Sequence, residues 1–304
     1  METRKLASFV RTVDAGSITA AAQSLHLAQS ALSSHIASLE KDFGVALLVR
    51  GRRGIEVTDE GWSLYRYAQG ILRLEQAAHL DLSNERQVTG LVTVGLASYS
   101  MAGNLSAPLL RAVREEHPGI TLHLVEHLTM IMSQAVKLGQ ADMAVIYRTG
   151  RIDGVRFTEE ITEDLVLVAG PASPALPARR DGIALEAASR LEFVLPDHQH
   201  TVRQLLERRF QAAGLPLRVV AEVESVHVLR ETLASGPEVT VLPASAAARL
   251  LGGSPTAYRS VRLAGGLQAT LALCTPEGPA RSEAAAAVAA TLQRLMWAAR
   301  AGRD

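Results

Sequence analysis

Apolar positions ahead of Thr58 recur every three or four places, the period of helices that bury one face. Leu32, Ile36, Leu39 and Phe43 follow at spacings of four, three and four, which predicts a helix from about Gln29 with that stripe buried. Its other arc carries Ser30, Ser33, Ser34, Ala37 and Lys41, and Gly44 ends it. Upstream, a first helix stops at Asp14-Ala15-Gly16-Ser17, where Gly16 suits a left-handed C-terminal position and Ser17 caps the next helix, Ile18 to Leu25. Ala20, Ala21 and Ala22 in that second helix let a neighbour approach closely. After Gly44 the period shortens. Leu47-Leu48-Val49-Arg50 and Ile55-Glu56-Val57-Thr58 read as strands around Gly51-Arg52-Arg53-Gly54, a tight hairpin that displays its arginines.

Thr58-Asp59-Glu60 opens a long helix with a hydroxyl cap and acids in the first turn. Leu64, Ala68, Ile71, Glu75, Ala78 and Leu82 form a heptad-like seam with one charged interruption, expected to meet a second copy. The seam fades by Asn84, and Gln87 to Gly90 reads as a hinge. Beyond it, strands are predicted at Leu91 to Leu96, Ile120 to Val125, Met143 to Ile146, Leu165 to Ala169, Phe193 to Leu195, Val219 to Val223, Val239 to Leu242 and Ala269 to Leu273. Helical patterns alternate with them at Leu105 to Glu116, Met130 to Leu138, Thr201 to Ala213 and Val226 to Ala234, and an Ala-rich helix runs from Ser282 to Arg300. That grammar predicts an α/β region with largely parallel sheets, long enough for two similar lobes. The expected division is 1–58 for the short helices and hairpin, 59–89 for the linker helix and hinge, and 90–304 for the two lobes.

Apolar residues make up 48% of the 304 residues and charged residues 20%, ample for packed cores. Lys plus Arg equals Asp plus Glu at 31 each, so any polyanion contact must come from a local patch. The single cysteine, Cys274, excludes an intramolecular disulfide and favours a reducing, cytoplasmic setting. Cys274 follows a strand-like run, which suits a buried inert thiol better than a lone redox sensor. Neither a signal-like apolar stretch at the N-terminus nor a membrane-length apolar run occurs, so no membrane partner is expected. Catalytic signatures such as G-x-S-x-G, the P-loop and H-E-x-x-H are missing, which argues against an enzyme. His198 and His200 beside Asp197 lack a third spaced ligand, so no metal and no cofactor is expected.

The first three helices and the hairpin fit an all-α winged helix-turn-helix. A recognition helix in the major groove must present small hydrogen-bonding residues outward near its N-terminus, and Gln29, Ser30, Ser33 and Ser34 do so. Gln29 matches an adenine edge. An ordinary small bundle with a Ser-rich solvated face has the same periodicity. Charge alone does not decide, since seven bases against five acids through Thr58 leave only +2. Distribution helps more, because Arg50, Arg52 and Arg53 crowd the hairpin. A solute receptor or α/β enzyme with a helical appendage would need neither feature.

Ala15 to Ala22, Leu25 to Ser33, Ile36, Leu39-Glu40, Phe43-Gly44, Leu47-Leu48, Arg50 and Thr58 to Gly61 together resemble the N-terminal signature of LysR-type transcriptional regulators. Pro108-Leu109-Leu110, His117-Pro118, Leu138 to Ala144, Ala234-Ser235-Gly236 and Val241-Leu242-Pro243 are similar to elements of that family's regulatory half. The Ala28-Gln29 variant, the Arg53-Gly54 wing and Ser100 to Leu110 resemble the nitrogen-assimilation-control subgroup. Ala28 stands where many members carry Ser or Thr, and Ser34-His35 where many carry Arg then Gln. The resemblance implies double-stranded DNA as partner, a homodimer assembling to a homotetramer, and contact with RNA polymerase. It also implies a periplasmic-binding-protein-like regulatory domain, responsive to a small-molecule effector or partner. By the same resemblance its cleft is lined by Ser98, Tyr99 and Ser100 after the first strand, Thr129 and Tyr147, and His200 and Thr201 at a helix start. Each also suits a helix cap or loop.

Overall fold

The computed structural model of the chain describes residues 2–51, 54–82, 88–171, 173, 176, 182–251, 258–278, 280 and 282–301. Three short helices come first: α1 (Thr3–Ala15), α2 (Ile18–Ser24) and α3 (Gln29–Phe43). Gly16 closes α1 at φ +62°, a left-handed position that costs a glycine little, and the Ser17 hydroxyl accepts from the Ala20 amide to start α2. Strands β1 (Leu48–Gly51) and β2 (Gly54–Val57) form the hairpin, antiparallel, with Leu48 opposite Val57. The long helix α4 (Asp59–Leu82) follows. Gly61 sits where any side chain would collide with the Leu47 carbonyl, so α4 can leave the wing only from a glycine.

Two expectations are corrected here. Leu32, Ile36 and Leu39 are buried, but Phe43 is 46% exposed, because the α3 stripe runs past the end of the helices that cover it. The first four positions of the α4 seam make intrachain contacts, while Ala78 is exposed and the side chain of Leu82 lies outside the described residues. Leu64 and Ala68 pack with Leu6, Phe9, Leu39 and Leu47, Ile71 lies against the same cluster, and Glu75 accepts a hydrogen bond from Thr3 Oγ1 at 2.6 Å. A heptad spacing marks a buried stripe without saying whose chain buries it. Among the described residues, the exposed large apolar side chains of α4 are Trp62, Tyr67 and Leu74.

The rest is one mixed sheet system in two lobes. In the first lobe, β3 (Gly90–Ala97) lies parallel between β4 (Ile120–His127) and β5 (Met143–Tyr147). A long strand, β6 (Val155–Ala169), crosses to the second lobe. There β7 (Glu192–Leu195) runs parallel to β8 (Arg218–Glu222) and β9 (Val239–Pro243), while β10 (Arg259–Arg262) flanks β6. The chain returns through β11 (Gln268–Pro276), antiparallel to both β5 and β6. Sheets are therefore parallel within each lobe and antiparallel along the crossover strands, a finer arrangement than the largely parallel expectation. Helices α5 (Ala102–Glu116), α6 (Thr129–Lys137), α7 (Leu185–Ala188), α8 (Thr201–Ala212), α9 (Val226–Ser235), α10 (Ala244–Leu251) and α11 (Glu283–Ala301) cover the faces. Cys274 is fully buried, and burial pushes its thiol up to about 12, far from the thiolate needed for reactivity. Among the described residues no helix is long and apolar enough to cross a membrane.

Candidate functional site

The recognition face is built by holding α3 against α1. Ser8 Oγ and His35 Nδ1 lie 2.8 Å apart, and Lys5 Nζ donates to Ser38 Oγ at 3.1 Å. Beneath them Leu32, Ile36 and Leu39 are buried, and this fixes which arc of α3 meets solvent. Gln29, Ser30 and Ser34 are exposed on that arc and Ser33 is half-buried. Among the described residues none of these four side chains has a hydrogen-bond partner, so their donors and acceptors are free. Ala28 precedes the helix without a side-chain cap, so no side chain of the N-cap takes up the first-turn amides, of which Ala31 N–H donates to the Ala28 carbonyl at 3.0 Å. The wing is fastened by Glu40, whose Oε1 accepts from the Leu47 and Leu48 amides at 2.9 and 3.2 Å. That role had no sequence signal beyond a carboxylate ahead of a strand. The backbone of Arg50 lies in β1; its side chain, and the whole of Arg52 and Arg53, fall outside the described residues.

The second site is the cleft between the lobes, where the C-terminal ends of parallel strands β3, β4, β7 and β8 converge, the usual ligand position for open α/β sheets. An open space of about 670 Å³ touches Ser98, His127, Glu126, Asp197, Gln199 and Glu224. A side pocket of about 280 Å³ adds Tyr99, Ser100, Arg230 and Leu242. The three carboxylates were not singled out as cleft residues from sequence, though Glu126 lies in the last two residues of β4 and Asp197 and Glu224 stand two residues past β7 and β8, and that position was the available signal. Their negative charge disfavours an anionic ligand in this space.

The remaining sequence candidates lie deeper. Tyr99, Tyr147 and His200 are 3%, 1% and 2% exposed. Ser100 Oγ accepts from the Ala102 amide at 3.0 Å and donates to the Ala97 carbonyl, a cap for α5. Thr129 Oγ1 accepts from the Tyr147 amide at 3.3 Å. Tyr147 and Thr201 border a separate hollow of about 210 Å³ with Arg148 and Arg208. His200 Nδ1 accepts from the Val202 amide, capping α8, and Nε2–H donates to the Ser98 carbonyl, so the neutral imidazole with its proton on Nε2 is the fitting form. Burial lowers its pKa from the ordinary 6.5, more than the Ser98 hydrogen bond, Glu224 and Asp197 raise it. Burial, reinforced by Glu224 and Glu126, raises the Tyr99 phenol well above 10. Among the described residues no group of three or more His, Cys, Asp or Glu could hold a metal.

A winged helix-turn-helix with a free polar recognition face, joined by a long helix to a two-lobed receptor-like half, defines a DNA-binding regulator. Residues 3–62 match the bacterial regulatory helix-turn-helix protein of the lysR family, and residues 85–297 match the LysR substrate binding domain. The chain belongs to the LysR family of transcriptional regulators. It is 37% identical over 253 residues to the nitrogen assimilation regulatory protein nac of Escherichia coli K12, covering 83% of this chain and 81% of that one. The nac protein of Klebsiella aerogenes is 36% identical over 255 residues, covering 84% and 82%. In fold the chain is similar to full-length CbnR complexed with its target DNA, with a TM-score of 0.68, 23% identity and coverage of 97% and 99%. A full-length OxyR variant from Pseudomonas aeruginosa has a TM-score of 0.72 at 21% identity, covering 97% and 94%. These relatives are regulators, and the chain is a LysR-type DNA-binding transcriptional regulator with an effector-binding domain, not an enzyme.

Proposed function

We propose that the division of labour within the DNA-binding half is as follows. Gln29, Ser30, Ser33 and Ser34 read base edges in the major groove, while Arg50, Arg52 and Arg53 hold phosphate or the adjoining minor groove. The observation that carries this reading is the free, exposed polar arc of α3 on a helix whose other side is fixed by α1. The exposed Trp62, Tyr67 and Leu74 on α4 support pairing of two copies, so that two α3 helices face one side of a two-fold site. Two such dimers make a tetramer that contacts RNA polymerase in the cytoplasm. Ser98, Tyr99 and Ser100 at the cleft, with Thr129, Tyr147, His200 and Thr201 behind it, form the region through which a small molecule or partner alters dimer spacing. The nac relatives direct the search for target sites to genes of nitrogen assimilation.

The test is a salt titration of DNA binding. Arg52→Ala with Arg53→Ala should weaken specific and bulk DNA binding alike and flatten the slope of log affinity against log salt by up to about two units. An unchanged slope removes the wing from the phosphate contacts.

A further inference from the structure

The deep floor of the cleft holds side chains of the chain itself, drawn from both lobes. Tyr99 stands after β3 in the first lobe, yet its ring packs in the apolar cluster of the second, with Val166, Val194, Leu229 and Leu242. Its hydroxyl donates to the carbonyl of Val223, just past β8, at 2.6 Å. In return His200, at the start of α8 in the second lobe, donates from Nε2 to the Ser98 carbonyl of the first at 3.1 Å. Tyr147, at the end of β5, donates to the Tyr99 carbonyl at 2.9 Å. The imidazole lies edge-on to both phenols, with centroids 5.5 Å from Tyr99 and 6.2 Å from Tyr147. Tyr99 adopts φ +51°, a left-handed conformation rare for an aromatic residue, so the surroundings hold it there against its own preference.

We propose that Tyr99, Tyr147 and His200 form a latch that holds the two lobes closed with no ligand bound, and that a signal acts on this regulator by releasing it. The inference rests on the reading of the two-lobed half as the part that controls DNA binding. Two of the three hydrogen bonds cross between lobes, in opposite directions, and the third fixes the backbone of the residue that makes one of them. A ligand entering the outer cleft meets Ser98 and the flank of Tyr99 first. Displacing the Tyr99 hydroxyl from Val223 would remove one of the two inter-lobe hydrogen bonds and leave His200–Ser98 to hold alone.

Hydrogen exchange on the full-length chain without ligand tests this. Tyr99→Phe and Tyr147→Phe keep each ring and remove one hydroxyl. Each should speed exchange about fivefold in segments 98–101, 200–204 and 223–225, the loss of one hydrogen bond read as population of the open form. Exchange in α11 should not change. Acceleration in 200–204 and 223–225, across the cleft from the altered residue, is what a latch requires. Unchanged exchange there, acceleration confined to 98–101, or uniform acceleration through α11 would each overturn it. DNA binding by the unaltered chain is measured separately. Its absence would sink the functional reading while leaving the exchange result to stand, and the converse holds equally.

Discussion

The face of α3 and the floor of the cleft are built from similar polar groups and end in opposite states. Gln29, Ser30 and Ser34 are exposed and unpaired among the described residues, whereas Tyr99, Tyr147, Ser100, Thr129 and His200 are buried and bonded within the chain. Unpaired donors and acceptors on a rigid helix are available for base edges at no cost in broken internal bonds. Paired ones must first give up a partner. On the proposed reading the first site binds as folded, and a ligand that reaches the buried groups of the second must displace bonds within the chain.

The largest expected effect separates the halves by their cores. Phe9 is fully buried in a cluster confined to α1, α3, the wing and α4, so Phe9→Ala should cost that half about 3–5 kcal/mol. Calorimetry should record an early transition for the DNA-binding half beside an unmoved one for the lobes. A single transition shifted as a whole would mean that the halves unfold as one.

A second test acts on the paired site through pH. The folded chain favours neutral His200, with its pKa lowered chiefly by burial, while an unfolded chain takes up the proton near 6.5. The unfolded state then binds more protons below that value. Stability should thus be complete above about pH 6.5 and fall on acidification through it, by up to about 1.4 kcal/mol per pH unit. Asp197 and Glu224 oppose the shift without reversing it. His200→Gln should remove this part of the pH dependence in melting experiments, and an unaltered profile would show that other groups cause it.

The smallest effect concerns Ser100, whose hydroxyl ties the start of α5 to the end of β3. Ser100→Ala should lower stability by about 1 kcal/mol and leave base preference untouched. A changed operator preference would mean that this cleft residue reaches the base-reading face of α3 and would blur the contrast between the two sites.

Much of this contrast was half-legible. The spacing of Leu32, Ile36 and Leu39 located α3 and its free face, and Gly16 with Ser17 marked the preceding break, because helix periodicity and capping are local. The first two-thirds of β6 escaped notice since Arg156, Thr158, Glu159 and Glu160 read as a polar loop; the ladder with β11, from distant sequence, makes them strand. Cleft candidates came from the family resemblance, which did not give their pairing. His200 meets Ser98 across 102 residues and Tyr99 meets Val223 across 124, separations that no local pattern encodes.

The most direct test of the free recognition face is a selection from randomised duplexes with the unaltered chain and Gln29→Ala, accompanied by melting curves. Gln29 offers a donor and an acceptor to one adenine edge, so its loss should cost about 1–3 kcal/mol at a single base position. The expected result is relaxed preference at that position, near-normal binding to bulk DNA and an unchanged melting temperature. An unaltered site preference, or uniform weakening with a lowered melting temperature, would contradict it and leave Gln29 a structural residue of the helix.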